Sequence, residues 1–169
     1  MTAATVGRGT GPIIEAFDLT PAGPLVPANA VAALIRTGDG RYLLQHRDAV
    51  GTIFYPDHWG CFGGAIERGE QPLQALRREL KEELALDLDG LSPTVFGHFR
   101  FSVVPAGITG LDRLYYDILI EPGLVANLRL GEGESMELVD GHDALHRRRL
   151  VPYDGFALWL HCYRALLSV

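Results

Sequence analysis

Cysteine is scarce in this chain, and the two present, Cys61 and Cys162, stand far apart with no C-x-x-C pair. Such spacing excludes a disulfide framework and a cysteine-based zinc site, and it suits a reducing, cytoplasmic setting. No apolar run reaches the length a membrane crossing needs, and the amino terminus lacks a basic stretch followed by an apolar one. The expectation is a soluble protein with no membrane partner. Positive charge is also short, 15 Lys and Arg against 21 Asp and Glu, net −6 at pH 7. That balance argues against an open nucleic-acid-binding surface, although an anionic phosphate ester can still be held where metal ions bridge the two. There is no internal repeat or low-complexity tract. A length of 169 residues suits one domain with a sizeable core.

What the chain does contain falls into a clear order. Residues 1–28, rich in Gly, Pro, Thr and Ala, read as an extended N-terminal arm, and residues 29–169 as a single domain. The apolar piece 13–19 suits either a strand added to a sheet edge or a crossing to a second subunit in a homodimer, and Pro21, Pro24 and Pro27 mark a linker. Residues 29–36 and 42–47 read as two strands of a hairpin around Gly38 and Gly40, followed by a loop over 48–58. Along 94–104, Phe99, Phe101 and Val103 alternate with His98, Arg100 and Ser102, the pattern of a half-buried strand. A glycine-bearing loop over 105–112 then leads to a partner strand over 114–120. Residues 128–139 look like a mobile acidic loop entering a short strand, and 146–149 like a solvated basic turn. Helical spacing from Tyr153 onward, with Pro152 in the first turn, predicts a closing helix.

The most informative stretch is 64–86, GAIERGEQPLQALRRELKEELAL, a glycine turn running into an acidic helix. At about 100° per residue, Leu73, Leu76, Leu80 and Leu84 read as one packed stripe, with Glu79, Glu82 and Glu83 on a neighbouring face. Like charges three or four apart cost a helix about 0.2–0.5 kcal/mol per pair, so the pattern makes little sense as helix stabilisation. A solvated charged face is the plain alternative. Three carboxylates on one rigid element also suit a hard divalent ion such as Mg²⁺ or Mn²⁺, which takes oxygen ligands and leaves positions for substrate phosphates.

Gly64, five residues, Glu70, seven residues and then Arg78-Glu79-Leu80-Lys81-Glu82-Glu83 closely resembles the Nudix box, in which that last run reads R-E-U-x-E-E-x-G-U with U a bulky aliphatic residue. The lead-in from Gly63 to Glu70 also matches the usual G-G-x-x-E-x-G-E. Two positions depart: Ala85 stands where the box has Gly, and Phe62 where a proline usually precedes the two glycines. A Gly there reaches φ > 0 cheaply, so with Ala85 the last turn either continues as helix or carries strain. Neither departure removes a carboxylate.

The element order alone gives α/β or α+β. The resemblance implies the Nudix α/β/α sandwich with a mixed central sheet, and a metal-dependent hydrolase that cleaves a nucleoside diphosphate linked to another group. It implies that Glu79, Glu82, Glu83 and the Gly64 carbonyl hold Mg²⁺, with Arg78 fixing a glutamate rotamer and Glu70 bracing the helix start. Arg47, ending the second strand, falls where the family often places a phosphate-facing arginine; an ordinary surface arginine is the alternative. Trp59 and Tyr115 or Tyr116 are candidates for base contact, each also explained by packing. For the general base, Glu79 competes with Glu132 or Glu134 in the later acidic loop, whose glycines would let it swing toward the metals. A nucleotide sugar is the favoured small-molecule substrate, with a nucleoside triphosphate as alternative. A non-catalytic nucleotide-sensing module and an isomerase on the same scaffold are rivals; the box keeps every carboxylate, and Cys61 lacks the isomerase cysteine motif.

Overall fold

The computed structural model describes residues 29–103 and 108–167; the expectations for the arm over 1–28, its apolar piece included, lie outside them. The elements in chain order are β1 (Ala30–Thr37), β2 (Arg41–His46), β3 (Trp59–Gly60), α1 (Pro72–Leu84), β4 (Thr94–Val103), β5 (Ile108–Ile120), a 3-10 turn (Pro122–Asn127), β6 (Ser135–Asp140), α2 (Gly141–Arg147) and α3 (Pro152–Leu167).

β1, sequence AVAALIRT, is apolar on both sides, as a central strand covered by helices must be. It pairs antiparallel with β2 and parallel with β5, from Ala30 opposite Arg113 to Thr37 opposite Ile120. β4 runs antiparallel to β5 and lies at the end of the strand order β3-β2-β1-β5-β4, while β6 pairs with β2. The sheet is therefore mixed, as expected.

Alternation along β1 and β5 divides the interior in two. Val31, Ala33, Ile35, Tyr116, Ile118 and Ile120 face α1 and its leucines Leu76, Leu80 and Leu84. Ala32, Leu34 and Tyr115 face α3 through Ala157 and Leu158. Each fully buried leucine of α1 contributes roughly 1.5–3 kcal/mol, which fixes the helix that carries the acidic motif against β1.

Two element boundaries and one helix face differ from the sequence reading. β5 starts at Ile108, so Gly110 and Asp112 belong to the strand and not to a loop. The region read as ending in a basic turn holds α2, capped by Asp140, whose side chain accepts from the backbone of His142 and Asp143. Leu73 is 40% exposed, whereas Glu83 is only 6% exposed. The reason is angular: seven residues after Leu76 is close to two turns, so Glu83 sits on the leucine stripe itself and not on a neighbouring face.

Candidate functional site

The glycine turn is held against the central strand. Val31 donates its N–H to Gly64 O and Ala33 to Phe62 O, both at 2.9 Å. Gly63 has φ +130°, and a Cβ there would lie 2.4 Å from Val31 O, so only glycine fits. A Cβ on Gly64 would lie 2.5 Å from the Glu79 carboxylate. The turn and the first box glutamate thus sit against one another.

Glu83 is the most constrained carboxylate of the group. The Gly63 N–H donates to its Oε2 at 2.7 Å. Burial pushes its carboxyl up to about 8; the Gly63 bond and the Arg47 charge oppose that, while Glu79 and Glu132 add to it. Glu79 is also raised, chiefly by burial, against the pull of Arg78. Three carboxylates from two segments, Glu79 and Glu83 on α1 and Glu132 on the later loop, therefore feel one another.

Arg78 is the local cation. Its Nη1 donates to Glu79 Oε1 at 2.7 Å and Glu82 Oε2 at 3.3 Å. Its Nε and Nη2 grip Glu70 at 3.1 and 3.0 Å, and Nη2 also reaches Ala65 O at 2.9 Å. Glu70 consequently joins the turn to the helix through Arg78 and the Glu67 N–H; the helix start itself is capped by Gln71 and Gln74. Ala85 ends α1 in the left-handed region at φ 52°, a conformation that costs a non-glycine residue roughly 1 kcal/mol or more.

The acidic loop is hydrogen-bonded on both flanks. Gly131 N–H donates to Glu83 O at 2.7 Å and Arg129 N–H to Leu84 O at 3.0 Å, which uses the free carbonyls at the end of α1. Any side chain at Gly131 would collide with Glu82 O, 2.3 Å from the Cβ position. On the other flank Gln45 Nε2 donates to Glu132 O at 3.0 Å and Glu134 N–H to His46 O at 2.9 Å. Within this loop Glu132 is the residue whose charge reaches Glu79 and Glu83. Glu134 instead lies 3.3 Å from His46 Nδ1.

Arg47 Nε donates to Phe54 O at 3.1 Å and its backbone N–H to His58 O at 2.9 Å, so it holds the 48–58 loop while its charge acts on Glu83. That loop contains two non-glycine residues at positive φ, Tyr55 and Asp57. Trp59 stacks on His46, centroids 4.9 Å apart, with the Arg148 guanidinium 4.6 Å from its ring centre. Tyr116 is 5% exposed and packs in the α1-side core. The expectation that Tyr116 touches a base is corrected: strand alternation turns it inward. Tyr115 is fully buried on the other face, its hydroxyl donating to Asp154 at 2.8 Å.

Gln45 and His46 were not apparent from sequence, because their contacts are to a loop about 90 residues away. The glycines on either side of Glu132 were the available signal.

Among the described residues no three His, Cys, Asp or Glu side chains are gathered in a metal-ligating arrangement. Arg78 occupies Glu79 and Glu82, and Glu83 is turned to Gly63. The donor chemistry nevertheless fits a hard cation: the oxygens are carboxylate and carbonyl, and the repulsion felt by the buried Glu83 is what a nearby positive ion would relieve.

Fold and site together set a glycine turn and an acidic helix on a mixed sheet covered by helices. The NUDIX domain model matches residues 26–156, and the chain belongs to the Nudix family. It is 35% identical over 92 residues to nucleoside triphosphatase NudI of Enterobacter sp. (strain 638), covering 53% of this chain and 63% of that protein. It is likewise 35% identical over 86 residues to m7GpppN-mRNA hydrolase NUDT17 of Xenopus laevis, covering 51% of this chain and 29% of that protein. The matches thus span less than two thirds of these curated relatives. The solved MutT protein from Methanosarcina mazei Go1 shares the fold, with a TM-score of 0.65 at 21% identity over 82% of this chain and 94% of that one.

Proposed function

We propose that this chain is a metal-dependent pyrophosphohydrolase cleaving a nucleoside diphosphate linked to another moiety. The observation that carries the reading is Glu83: a carboxylate buried on the packed face of α1, held by one backbone N–H and raised to about 8. Burial costs such a group stability in its charged form, and a bound cation would offset that cost.

In this reading Glu79, Glu82, Glu83 and Gly64 O would hold Mg²⁺, or Mn²⁺ in its place. The ion supplies charge neutralisation at the phosphate oxygens and at the leaving oxygen. Arg47 binds a substrate phosphate. Glu132 accepts a proton from the water that attacks phosphorus as the bridging P–O bond breaks, leaving two phosphate products. Glu79 is the weaker candidate for this step, since a carboxylate beside a cation loses basicity. Arg78 stays on Glu70 and keeps the turn seated on the helix.

A nucleotide sugar is the proposed substrate. The nucleoside triphosphate alternative is supported by likeness to a protein named as a nucleoside triphosphatase. A non-catalytic sensing module fits less well, because every box carboxylate is retained. The test is a screen of purified protein with Mg²⁺ against nucleotide sugars, dinucleotides and triphosphates, reading phosphate or nucleoside monophosphate release. Absence of turnover on every class, with Mg²⁺ and with Mn²⁺, refutes the enzyme reading.

A further inference from the structure

Arg113 is a buried charge that takes no part in the proposed hydrolysis. It lies on β5, 8% exposed, on the face of the sheet turned to α3, where it meets Asp154. A guanidinium carries five N–H donors, and this one spends two of them. Nε donates to the Tyr115 hydroxyl at 3.3 Å and Nη2 to Asp154 Oδ1 at 3.4 Å, both at the long end of the hydrogen-bond range. Nη1 and the second Nη2 hydrogen have no acceptor among the described residues. Buried nitrogens are normally paired, and among the described residues no fully enclosed side-chain nitrogen or oxygen lacks a partner. Nη1 therefore stands where the buried guanidinium reaches the surface. With Nε and one Nη2 hydrogen taken by Tyr115 and Asp154, the parallel N–H bonds of Nη1 and Nη2 form the edge left open.

The strands set where that edge lies. Arg113 is the register partner of Ala30 on β1, and Ala30 on its other side bridges Ala65, next to Gly64. Two strand spacings, about 10 Å, separate Arg113 from the glycine turn. The two also share a carboxylate, since Asp154 Oδ2 accepts from the Cys61 N–H at 3.1 Å. Arg47 links this place to the acidic helix, its charge acting on both Glu83 and Tyr153.

Aromatic rings surround the open edge. The Arg113 guanidinium lies 4.3 Å from the Tyr153 ring centre. Tyr55 meets Tyr153 edge to face at 5.4 Å, and Phe101 lies 6.0 Å from it. All three rings are half-buried. Tyr55 reaches this position with φ 53°, a backbone conformation costly for a bulky side chain and one that clusters at ligand sites.

Partly open aromatic faces take a flat ring, and the fork of a guanidinium takes two acceptors side by side. Among the nucleobases guanine offers that pair, O6 and N7. Adenine sets an N6 donor beside N7, which would face Arg113 donor to donor, and the pyrimidines have no N7. We infer that Arg113 reads the O6 and N7 edge of the base, so that the nucleotide taken by this chain carries a 6-oxopurine; the phosphate end of the inference rests on the pyrophosphohydrolase reading.

The test is calorimetric binding of nucleoside monophosphates to the full chain in Mg²⁺, which needs no turnover. GMP is expected to bind at least about tenfold tighter than AMP, the worth of one bidentate pair. IMP, which keeps O6 and N7 and lacks the N2 amino group, should match GMP. In 7-deaza-GMP a carbon replaces one of the two acceptors, and most of the tenfold should be lost with the protein unchanged. Arg113→Lys keeps the charge beside Asp154 and loses the fork; it should bring GMP to the AMP value with the far-UV circular dichroism and Tm of wild type. If that variant does not fold, the 7-deaza-GMP comparison carries the test. Equal binding of GMP and AMP, 7-deaza-GMP binding as tightly as GMP, or binding of neither GMP nor AMP at millimolar concentration overturns the inference. A chain that hydrolyses no substrate yet prefers GMP in this way keeps the base site and loses the hydrolase reading. One that hydrolyses guanine and adenine nucleotides alike keeps the hydrolase reading and loses the base site.

Discussion

Glu83 and Asp117 are both carboxylates drawn out of solvent, one on each side of the sheet, and the protein treats them in opposite ways. Asp117 receives Arg36 through two bonds, at 2.7 and 3.1 Å, together with Arg164 at 3.4 Å and His161 at 3.2 Å. Those partners outweigh burial and drive its carboxyl far below the usual range. Glu83 receives one backbone N–H and faces two other carboxylates, and its carboxyl is driven up. A buried charge with its counter-charges built in is part of the scaffold; a buried charge left short of them is, in the proposed function, where a cation is held.

Seven substitutions sharpen or break that contrast. Glu83→Gln is expected to lower kcat/KM about a thousandfold or more, as loss of a metal ligand does, measured under saturating Mg²⁺. The same variant has an opposite effect without metal. A carboxyl raised in the folded state binds a proton that the unfolded chain has released, so it costs stability as pH rises from the ordinary glutamate range toward 8. In EDTA, Glu83→Gln should melt above wild type at pH 8, with the gap closing at pH 5. An unchanged rate, or a lower Tm at pH 8, removes the distinction between the two carboxylates.

Next in size, Glu132→Gln should cut kcat at least about a hundredfold with metal affinity, read by calorimetry, almost unchanged. Glu134→Gln should do far less, since its carboxylate is spent on His46. Full kcat in Glu132→Gln alongside its loss in Glu79→Gln would move the base into the box.

Asp117→Asn leaves Arg36 and His161 facing a neutral group and should cost about 2 kcal/mol in urea unfolding, below the full value for a completely buried pair, with kcat intact. Because Asp117 is depressed in the folded state, its contribution is complete above the unfolded-state value and is lost as pH falls into the acid range. The stability gap between variant and wild type should narrow there. Arg47→Ala should raise KM about tenfold with a smaller change in kcat, the signature of uniform phosphate binding. The smallest effect is Ala85→Gly, expected to stabilise by up to about 1 kcal/mol by relieving a left-handed alanine, seen as a small rise in Tm.

The contrast also explains what sequence reading reached. The box, its hydrophobic stripe, the hairpin over β1 and β2 and the closing helix are local patterns, visible in spacing of two, three or four residues. Ala85 was flagged by its departure from the pattern, and the backbone takes the strained option. What stayed hidden depends on partners far along the chain. Nothing near Asp117 announces Arg36, 81 positions earlier. Nothing near residue 131 announces that the loop is hydrogen-bonded to the end of α1. Glu83 was misplaced for another reason: a glutamate in a run of glutamates reads as surface, and only its two-turn spacing from Leu76 says otherwise.

The parallel pairing of β1 with β5 has a consequence for how the chain comes to be folded. β1 is made well before its parallel neighbour, which ends at Ile120, so this pairing cannot form until Ile120 has left the ribosome. Until then α1 has its leucine face and its buried glutamate without their lasting cover. Pairing over such separations is intrinsically slow, and the nascent chain passes through a stage with apolar surface exposed to other chains. Yield from rapid overexpression should therefore be governed by growth temperature and chaperone supply more than by the stability of the finished domain.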